Sequence, residues 1–225
     1  GATYEVYGIG RSDNVYYTGG NTVTVHLVPS KPSINRDSEN VAENSRRLEI
    51  RHDDSSRFGK NVTYTIERSE ADKDDYQVIA ENVAIKNGEE YCIYYTDENS
   101  LFDLSGELPR ILSYKYRVKV VCDNVESDYE TYDSGIIISD ETRDLYLEFP
   151  MENQGGIAKW NQIKVGYTVG QYIYGDCRYG FYRKAGSGSE WKASQCPIDG
   201  LTPGETYEVY GICGESGTYY MGSNT

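Results

Sequence analysis

The sequence predicts an all-β protein built from small two-sheet modules. The chain has 225 residues, among them 23 Tyr and 23 Gly, and Val, Ile and Thr are also frequent. Tyr and the β-branched residues favour strands. No long segment has the 3.6-residue apolar period of an amphipathic helix. An internal repeat divides the chain into modules of about 90–110 residues, which is the size of a β-sandwich.

The strongest pattern in the sequence is a repeat at an offset of 203 residues. Residues 1–22 read GATYEVYGIGRSDNVYYTGGNT, residues 204–225 read GETYEVYGICGESGTYYMGSNT, and 13 of the 22 aligned positions are identical. Segment 116–122 parallels 207–213, so the repeat itself contains two related halves. We therefore interpret the chain as one period plus an overlap. The predicted units are a partial strand hairpin at 1–29, a module at 30–139, and a second module at 140–225 without its last strand.

Apolar and polar residues that alternate between turn residues predict the strands of each unit. The leading hairpin is expected at 3–10 and 23–28. The first module is expected to have strands at 47–52, 62–68, 76–83, 91–96, 114–122 and 134–139. The second is expected to have strands at 145–149, 162–169, 178–184, 190–198 and 206–213. Connecting loops are expected at 31–46 and 151–158.

One segment of the second module resembles a known family. Leu201-Thr-Pro-Gly-Glu-Thr-Tyr207-Glu-Val is similar to the corner between strands E and F of a fibronectin type III domain. Tyr95-Thr-Asp, followed by Tyr116-Arg-Val, looks like the same element in the first module. The resemblance implies tandem sandwiches of the fibronectin type III or, more broadly, immunoglobulin-like type. It implies almost nothing about function, because this fold has many roles.

The corner of the first module contains about ten extra residues. Nineteen positions separate Asp97 from Tyr116, against nine between Ile198 and Tyr207 in the second module. The insertion contains Leu101, Phe102 and Leu104 and is too apolar for a wholly solvated loop. We therefore expect part of it to be buried.

Five cysteines in acidic β-modules suggest an oxidising compartment, although buried reduced cysteines in a cytosolic protein are the alternative. The sandwich that the resemblance implies places Cys92 and Cys122 on facing sheets, which makes them a disulfide candidate. In the second module it brings Cys177 near Cys213, with Cys196–Cys213 as the rival pair. One cysteine is then left over. Without a CxxC motif, a zinc site is not expected.

The composition and the motif search exclude several function classes. The net charge is −14, with 22 Lys and Arg against 36 Asp and Glu, which argues against nucleic-acid binding. The sequence has no run of 18 apolar residues, and we expect no membrane span. Phosphate-loop, dinucleotide and hydrolase motifs are also missing, so we predict no catalytic residue, no cofactor and no enzymatic activity. The acidic clusters at 72–75 and 123–128 are interpreted as solvated turns, with calcium at a module junction as the alternative.

Two further features concern modification and contacts. Asn61-Val-Thr is the single glycosylation motif. The doublets Tyr16-Tyr17 and Tyr219-Tyr220 recur at the repeat offset and are candidates for contacts between copies, with sugar or protein binding as the alternative.

Both ends of the chain lie within predicted modules. The chain is either a window on a longer tandem polymer or a subunit that completes its neighbour head to tail by strand addition. The window is the simpler explanation, because residues 1–22 duplicate a strand that the second module already has.

These observations predict a structural repeat unit of an extracellular filament, stalk or surface adhesin. The expected partners are neighbouring copies of the chain, head to tail or in a longer tandem chain. The alternative is a carbohydrate- or receptor-binding accessory module of a larger secreted protein.

Overall fold

The prediction of an all-β chain is confirmed. A computed structural model describes residues 3–26, 28–52, 62–84, 92–151 and 158–225, and the regular structure in these ranges consists of strands. The described ranges contain no helix of the length and apolarity needed to cross a membrane.

The described residues begin with the leading hairpin, which consists of two nested pairs of strands. Its outer strands pair antiparallel, its inner strands pair antiparallel, and the tip is Asp13-Asn14. Both tip residues have positive φ, the conformation that tight two-residue hairpin turns require. The strands are β1 (Thr3–Val6), β2 (Ile9–Ser12), β3 (Val15–Thr18) and β4 (Val23–His26).

The next part of the chain forms two larger sheets and one short ladder. The three-stranded sheet has the order β5-β6-β9, with β5 (Ser33–Asn40), β6 (Ser45–Arg51) and β9 (Cys92–Asp97). The five-stranded sheet is centred on β7 (Val62–Glu70) and β12 (Tyr114–Cys122), with β8 (Gln77–Ala84), β13 (Val125–Glu126) and β14 (Glu130–Asp133) at its sides. The insertion forms a ladder of β10 (Phe102–Asp103) and β11 (Arg110–Ile111).

These two sheets share one hydrophobic core, here called the first core. Alternate side chains of each strand face it, as the two-residue period of a strand requires. Its central members are Leu48 and Ile50 from one sheet and Tyr64, Val118 and Val120 from the other. All five are fully buried.

The last part of the chain forms a seven-stranded sheet in the order β17-β16-β15-β21-β20-β18-β19. Its long strand β15 pairs parallel with β21 through its first part and antiparallel with β16 through its last part. A register shift between Ile138 and Thr142 lies within the parallel part, which continues through Thr142 and Arg143. The strands are β15 (Ile137–Glu148), β16 (Lys164–Val169), β17 (Tyr172–Asp176), β18 (Tyr179–Lys184), β19 (Lys192–Gln195), β20 (Tyr207–Glu215) and β21 (Thr218–Gly222).

Two further cores lie against β20, one on each of its faces. The second core contains Val165, Leu201 and Val209 and belongs to the last part of the chain alone. The junction core combines Phe102 of the insertion with Tyr210 and other residues of the seven-stranded sheet. It therefore crosses the predicted boundary between residues 139 and 140 and connects the two parts of the chain.

Three strand predictions are wrong in ways that the structure explains. Segment 31–46 was expected to be a loop but contains β5, an edge strand of which Ile34 is the buried residue. The strands expected at 134–139 and 145–149 are one strand, β15, whose polar middle contains the register shift. Strand β17 was not predicted, because its side chains are mostly exposed and show no alternation of burial.

The Tyr64 hydroxyl provides a test of the first core. It is buried and has no hydrogen-bond partner among the described residues. A buried hydroxyl without a partner costs free energy that an apolar side chain of the same shape does not. We therefore expect Tyr64→Phe to leave the free energy of unfolding at neutral pH unchanged or to raise it by about 1 kcal/mol.

The same substitution has a pH-dependent effect. Burial raises the pKa of Tyr64 from 10.0 to about 12. Because the pKa is higher in the folded chain, the stability that the neutral phenol contributes is present below pH 10 and is lost as the pH rises towards 12. Urea titrations between these pH values should show a steeper fall in unfolding free energy for the wild type than for Tyr64→Phe. Parallel curves would contradict the prediction.

Candidate assembly surface

The leading hairpin presents a concentration of exposed apolar side chains. In the described residues of β1–β4, every side chain whose burial is given is exposed. An isolated hairpin is marginally stable in water, and contiguous exposed apolar surface commonly marks an interaction site. The large exposed residues are Tyr4, Val6, Tyr7, Ile9, Val15, Tyr16, Tyr17 and Val23.

The repeat counterpart of this hairpin, strands β20 and β21, is packed in the protein interior. The two segments therefore place the same residue types in opposite environments. Aligned positions have the following exposed fractions: Val6 51% and Val209 4%, Ile9 59% and Ile212 0%, Tyr16 68% and Tyr219 7%.

Both faces of the counterpart are covered. On one face, Val209 and Cys213 pack in the second core. On the other, Tyr210 and Ile212 pack in the junction core, where the Tyr210 ring lies 6.3 Å from that of Phe181. The leading hairpin thus carries two faces that are core faces in its counterpart.

The insertion packs in the junction core together with Tyr210 and Ile212 of that counterpart, which confirms that it is not a wholly solvated loop. Phe102 is buried and packs edge to face on Tyr179 and Phe181, with ring centroids 4.9 Å apart in both pairs. The indole Nε1 of Trp191 donates a hydrogen bond to the Glu107 carbonyl oxygen at 3.0 Å. The insertion therefore forms part of the contact between the two parts of the chain, to which Val41 and the hydrogen bond from the Tyr179 hydroxyl to Glu39 also contribute.

A buried ionic cluster lies at the base of the insertion. Asp97 accepts hydrogen bonds from Arg68 Nη1 and from the Tyr116 hydroxyl, each at 2.8 Å. Arg46 is fully buried, and its Nη1 donates to the same hydroxyl at 3.4 Å. The pKa of Tyr116 is raised above the ordinary value of a tyrosine, mainly because the side chain is buried.

Sequence reasoning missed Arg46, although a signal was present. In a strand, residues two positions apart share a face. The alternation that places Leu48 inward therefore also places Arg46 inward, two residues earlier in β6. A charged residue in phase with the core face predicts a buried charge with partners.

The five cysteines are free thiols in the structure. Cys177 and Cys213 are neighbours in the second core, and a hydrogen bond with Cys213, together with burial, raises the pKa of Cys177. Cys196 packs against the same core. The Cys177–Cys213 pairing and its rival with Cys196 therefore involve neighbouring residues, and both stay predictions.

The other predicted pair is placed differently. The Cys92 thiol lies 3.6 Å from Glu49 Oε1, beside the exposed Tyr94. Cys122 is buried in the first core. Ile93, next to Cys92, faces that core, so Cys92 lies on the opposite face of the three-stranded sheet. The Cys92–Cys122 disulfide stays a prediction.

The tyrosine doublets differ between the two copies. Tyr16 and Tyr17 are exposed and available for contacts. Tyr219 is stacked on Tyr179 with ring centroids 6.0 Å apart, and the Arg143 guanidinium lies 3.9 Å from the Tyr220 ring centroid. The second doublet is thus engaged within its own chain.

The remaining predicted sites have no geometry that identifies a ligand. Asn61 lies outside the described residues. Among the residues that the structure describes, no group of acidic, His or Cys side chains is arranged to hold a metal ion. A cavity of about 510 Å³ beside the insertion includes Phe102 and Trp191 in its wall. Both rings are buried in the junction core and offer no free face for stacking a sugar.

A second exposed aromatic surface lies on the edge strand β17. Tyr172, Ile173 and Tyr174 are all exposed, and the Tyr174 hydroxyl donates to Glu215 Oε1 at 2.7 Å. Trp160 is exposed elsewhere on the same part of the chain. Carbohydrate or receptor binding through such rings stays a prediction.

No protein-family model matches the chain, and no curated protein is significantly similar to it.

Proposed function

We propose that this chain is a structural repeat unit that assembles end to end with copies of itself. One observation carries the proposal: apolar residues of the leading hairpin are exposed, whereas their aligned residues in β20 and β21 are buried on both faces. A tandem repeat covers such a surface by packing it against an adjacent unit, because each unit contacts its neighbours. The proposed assembly is a filament, stalk or adhesin at or outside the cell surface.

We further propose that the assembly consists of tandem sandwiches similar to fibronectin type III domains. In support, β5, β6 and β9 share a core with β7, β12 and their neighbours. When the short β10–β11 ladder is left out, the first, second and fifth strands of this region thus lie opposite the third and sixth, as in the immunoglobulin-like sandwich. The fourth strand, β8, pairs with the third, which differs from the constant-type immunoglobulin arrangement.

The junction core supports a mechanical role. It combines buried residues from the insertion, including Leu101 and Phe102, with Phe181, Trp191 and Tyr210 of the next sheet. A contact made of fully buried rings resists bending more than a polar linker does, because bending would open the packed core. Such a junction suits a repeat that provides length and stiffness.

The proposal places the protein in an oxidising compartment and includes no catalytic step. In such a compartment the neighbouring thiols of Cys177 and Cys213 would be joined in a disulfide.

Sedimentation velocity over a range of concentrations, with electron microscopy of the same samples, tests the assembly. We expect the wild-type chain to form multimers whose size grows with concentration. The double variant Val6→Ser with Ile9→Ser should stay monomeric at the same concentrations. Both side chains are exposed, so the fold should not change, while the apolar hairpin surface is removed.

The chain offers a matched control for this experiment. Val78 and Ile137 are 50% and 62% exposed, close to the 51% and 59% of Val6 and Ile9. The variant Val78→Ser with Ile137→Ser removes the same side-chain types away from the hairpin and should assemble like the wild type. A wild-type chain that stays monomeric at all concentrations, or two variants that assemble equally, would contradict the proposal.

A further inference from the structure

We propose that two copies of this chain pair edge to edge through strand β17, so that the seven-stranded sheets of the two copies become one continuous sheet. The partner is a second copy, related to the first by a two-fold axis beside Ile173. The contact uses none of the residues of the leading hairpin. The inference therefore goes beyond end-to-end assembly and does not depend on it.

The first argument is that the backbone of β17 has an outward edge. Strand β17 is at one end of the strand order of its sheet, and among the described residues it pairs with β16 alone. Val169 and Tyr172 lie opposite each other across the two-residue turn between these strands, so the Tyr172 amide points to β16. The backbone groups of the next residue, Ile173, therefore point away from the sheet. Such groups accept an added strand.

The second argument is that the side chains of this edge are apolar and exposed. Tyr172 and Ile173 are 78% and 72% exposed, the highest values for large apolar side chains in the described part of the chain. Edge strands are commonly protected by charged residues that block pairing. The one charged residue of β17, Asp176, is at its end and pairs with Lys164 at 2.9 Å. The apolar part of the edge is thus unprotected, which indicates an interaction site.

The third argument is that the edge is complementary to itself. The segment Tyr172-Ile-Tyr174 reads the same in both directions. An antiparallel pair centred on Ile173 places Tyr172 of each copy opposite Tyr174 of the other, which gives two aromatic cross-strand pairs around one aliphatic pair. The outward backbone groups of Ile173 select the same centre. The net charge of the chain is −14, yet this register places no two carboxylates of β17 opposite each other.

Strand β8 provides the comparison, because it is also an edge strand. It is at one end of the five-stranded sheet, and Val78 is 50% exposed. An antiparallel pair of two copies centred on Val78 would place Asp75 of each copy opposite Glu81 of the other. Like charges directly opposite each other are destabilising. An exposed edge with an apolar residue is therefore not sufficient, and β8 serves as the matched control.

The geometry of β17 also indicates how strong the pairing is. The Tyr174 hydroxyl donates to Glu215, and the Tyr174 ring lies 5.6 Å from that of Tyr167. A ring that is already held loses little freedom when it is covered. A register shift after Ile173 places a bulge there and limits the regular ladder to about three residues. So short a contact is weak between two single chains and becomes strong when several copies are linked.

Introduced cysteines test the register. All variants carry Val6→Ser with Ile9→Ser, which removes the apolar hairpin surface, and Cys92→Ser, because that thiol is only partly buried. In this background, Tyr172→Cys is mixed with a Tyr174→Cys chain that carries a tag of distinct mass.

The two introduced thiols lie opposite each other in the proposed pair, with Cα atoms about 4.5–5.5 Å apart, within the range of a disulfide. Identical residues of the two copies are diagonal neighbours about 7–8 Å apart, beyond that range. Mild oxidation of the mixture should therefore give the mixed dimer as its main cross-linked product. Either variant alone should give little dimer.

Sedimentation equilibrium provides a second measurement, on the Val6→Ser with Ile9→Ser chain without introduced cysteines. At protein concentrations above those of the assembly experiment, we expect a monomer–dimer equilibrium. Ile173→Lys should abolish the dimer, because lysine on an edge blocks strand addition. Val78→Lys should leave it unchanged. Both residues are exposed, so both variants should keep the fold.

The outcomes separate this inference from the proposed function. Equal yields of mixed and identical dimers, a chain that stays monomeric, or a dimer that Ile173→Lys does not weaken would overturn the edge pairing and leave end-to-end assembly standing. A mixed dimer that forms although the wild-type chain shows no hairpin-dependent multimers would confirm the edge pairing and overturn the proposed function.

Discussion

Phe102→Ala is expected to lower the free energy of unfolding by about 3–5 kcal/mol, the range for a truncated buried aromatic side chain. The ring packs edge to face on Tyr179 and Phe181 in the junction core. Asn44 also fixes the backbone of Phe102, donating to its carbonyl oxygen at 2.8 Å and accepting from its amide at 2.7 Å. Alanine leaves a cavity that this held backbone cannot close. Urea titration, monitored by tryptophan fluorescence and circular dichroism, measures the loss.

The variant should also change how the two parts of the chain unfold. The junction core is their shared packing, so weakening it should separate the fluorescence transition from the circular dichroism transition. Phe149→Ala is the control, because that ring is exposed, and a surface change should stay within about 1 kcal/mol. Equal losses for Phe102→Ala and Phe149→Ala would show that the junction core does not stabilise the chain.

Asp97→Ala should cost a comparable 3–5 kcal/mol or so, for a different reason. Asp97 is the carboxylate that faces Arg68 and the Tyr116 hydroxyl, and fully buried Arg46 contacts that same hydroxyl. Removing it leaves the partly buried Arg68 without its paired carboxylate and the buried Tyr116 hydroxyl without its acceptor. Losing one partner of a buried pair is much more costly than losing a surface pair. Thermal and urea unfolding of the variant measure the effect.

A surface ion pair provides the comparison. Glu126 is well exposed and pairs with Lys119 at 2.7 Å, so Glu126→Ala should cost no more than about 1 kcal/mol. Asp97→Asn keeps the shape and a hydrogen-bond acceptor and should fall between the two. If Asp97→Ala is as mild as Glu126→Ala, the cluster is not an important stabilising contact.

Much of the strand pattern could be predicted from local sequence. The range 114–122 coincides with β12, because Tyr116, Val118 and Val120 alternate with polar residues in a central strand. Such strands have one apolar face and are recognisable from it. Edge strand β5 was missed for the complementary reason, since Ile34 is its buried side chain and the rest of SINRDSEN is polar.

The candidate assembly surface was also only partly predictable from the sequence. The repeat at offset 203 and the apolar insertion are visible in the sequence, and the insertion is buried as expected. The sequence does not show that Phe102 meets Phe181, because 79 positions separate them and no local period connects them. Arg46 is an intermediate case. The alternation of residues in β6 predicts that its side chain faces the core, but the sequence does not predict its partner, the Tyr116 hydroxyl.

The opposite environments of the two hairpin copies show where sequence information ends. The sequence alone determines that residues 3–9 and 206–212 have the same strand-forming pattern, because propensity and alternation depend on neighbouring residues. Only the tertiary structure decides that Val209 and Ile212 are buried while Val6 and Ile9 are exposed. Burial depends on what packs against a strand. The residues that pack against β20 come from the insertion, which is far from β20 in the sequence, and from Val165 and Leu201, which lie outside β20. Local sequence therefore does not reveal them.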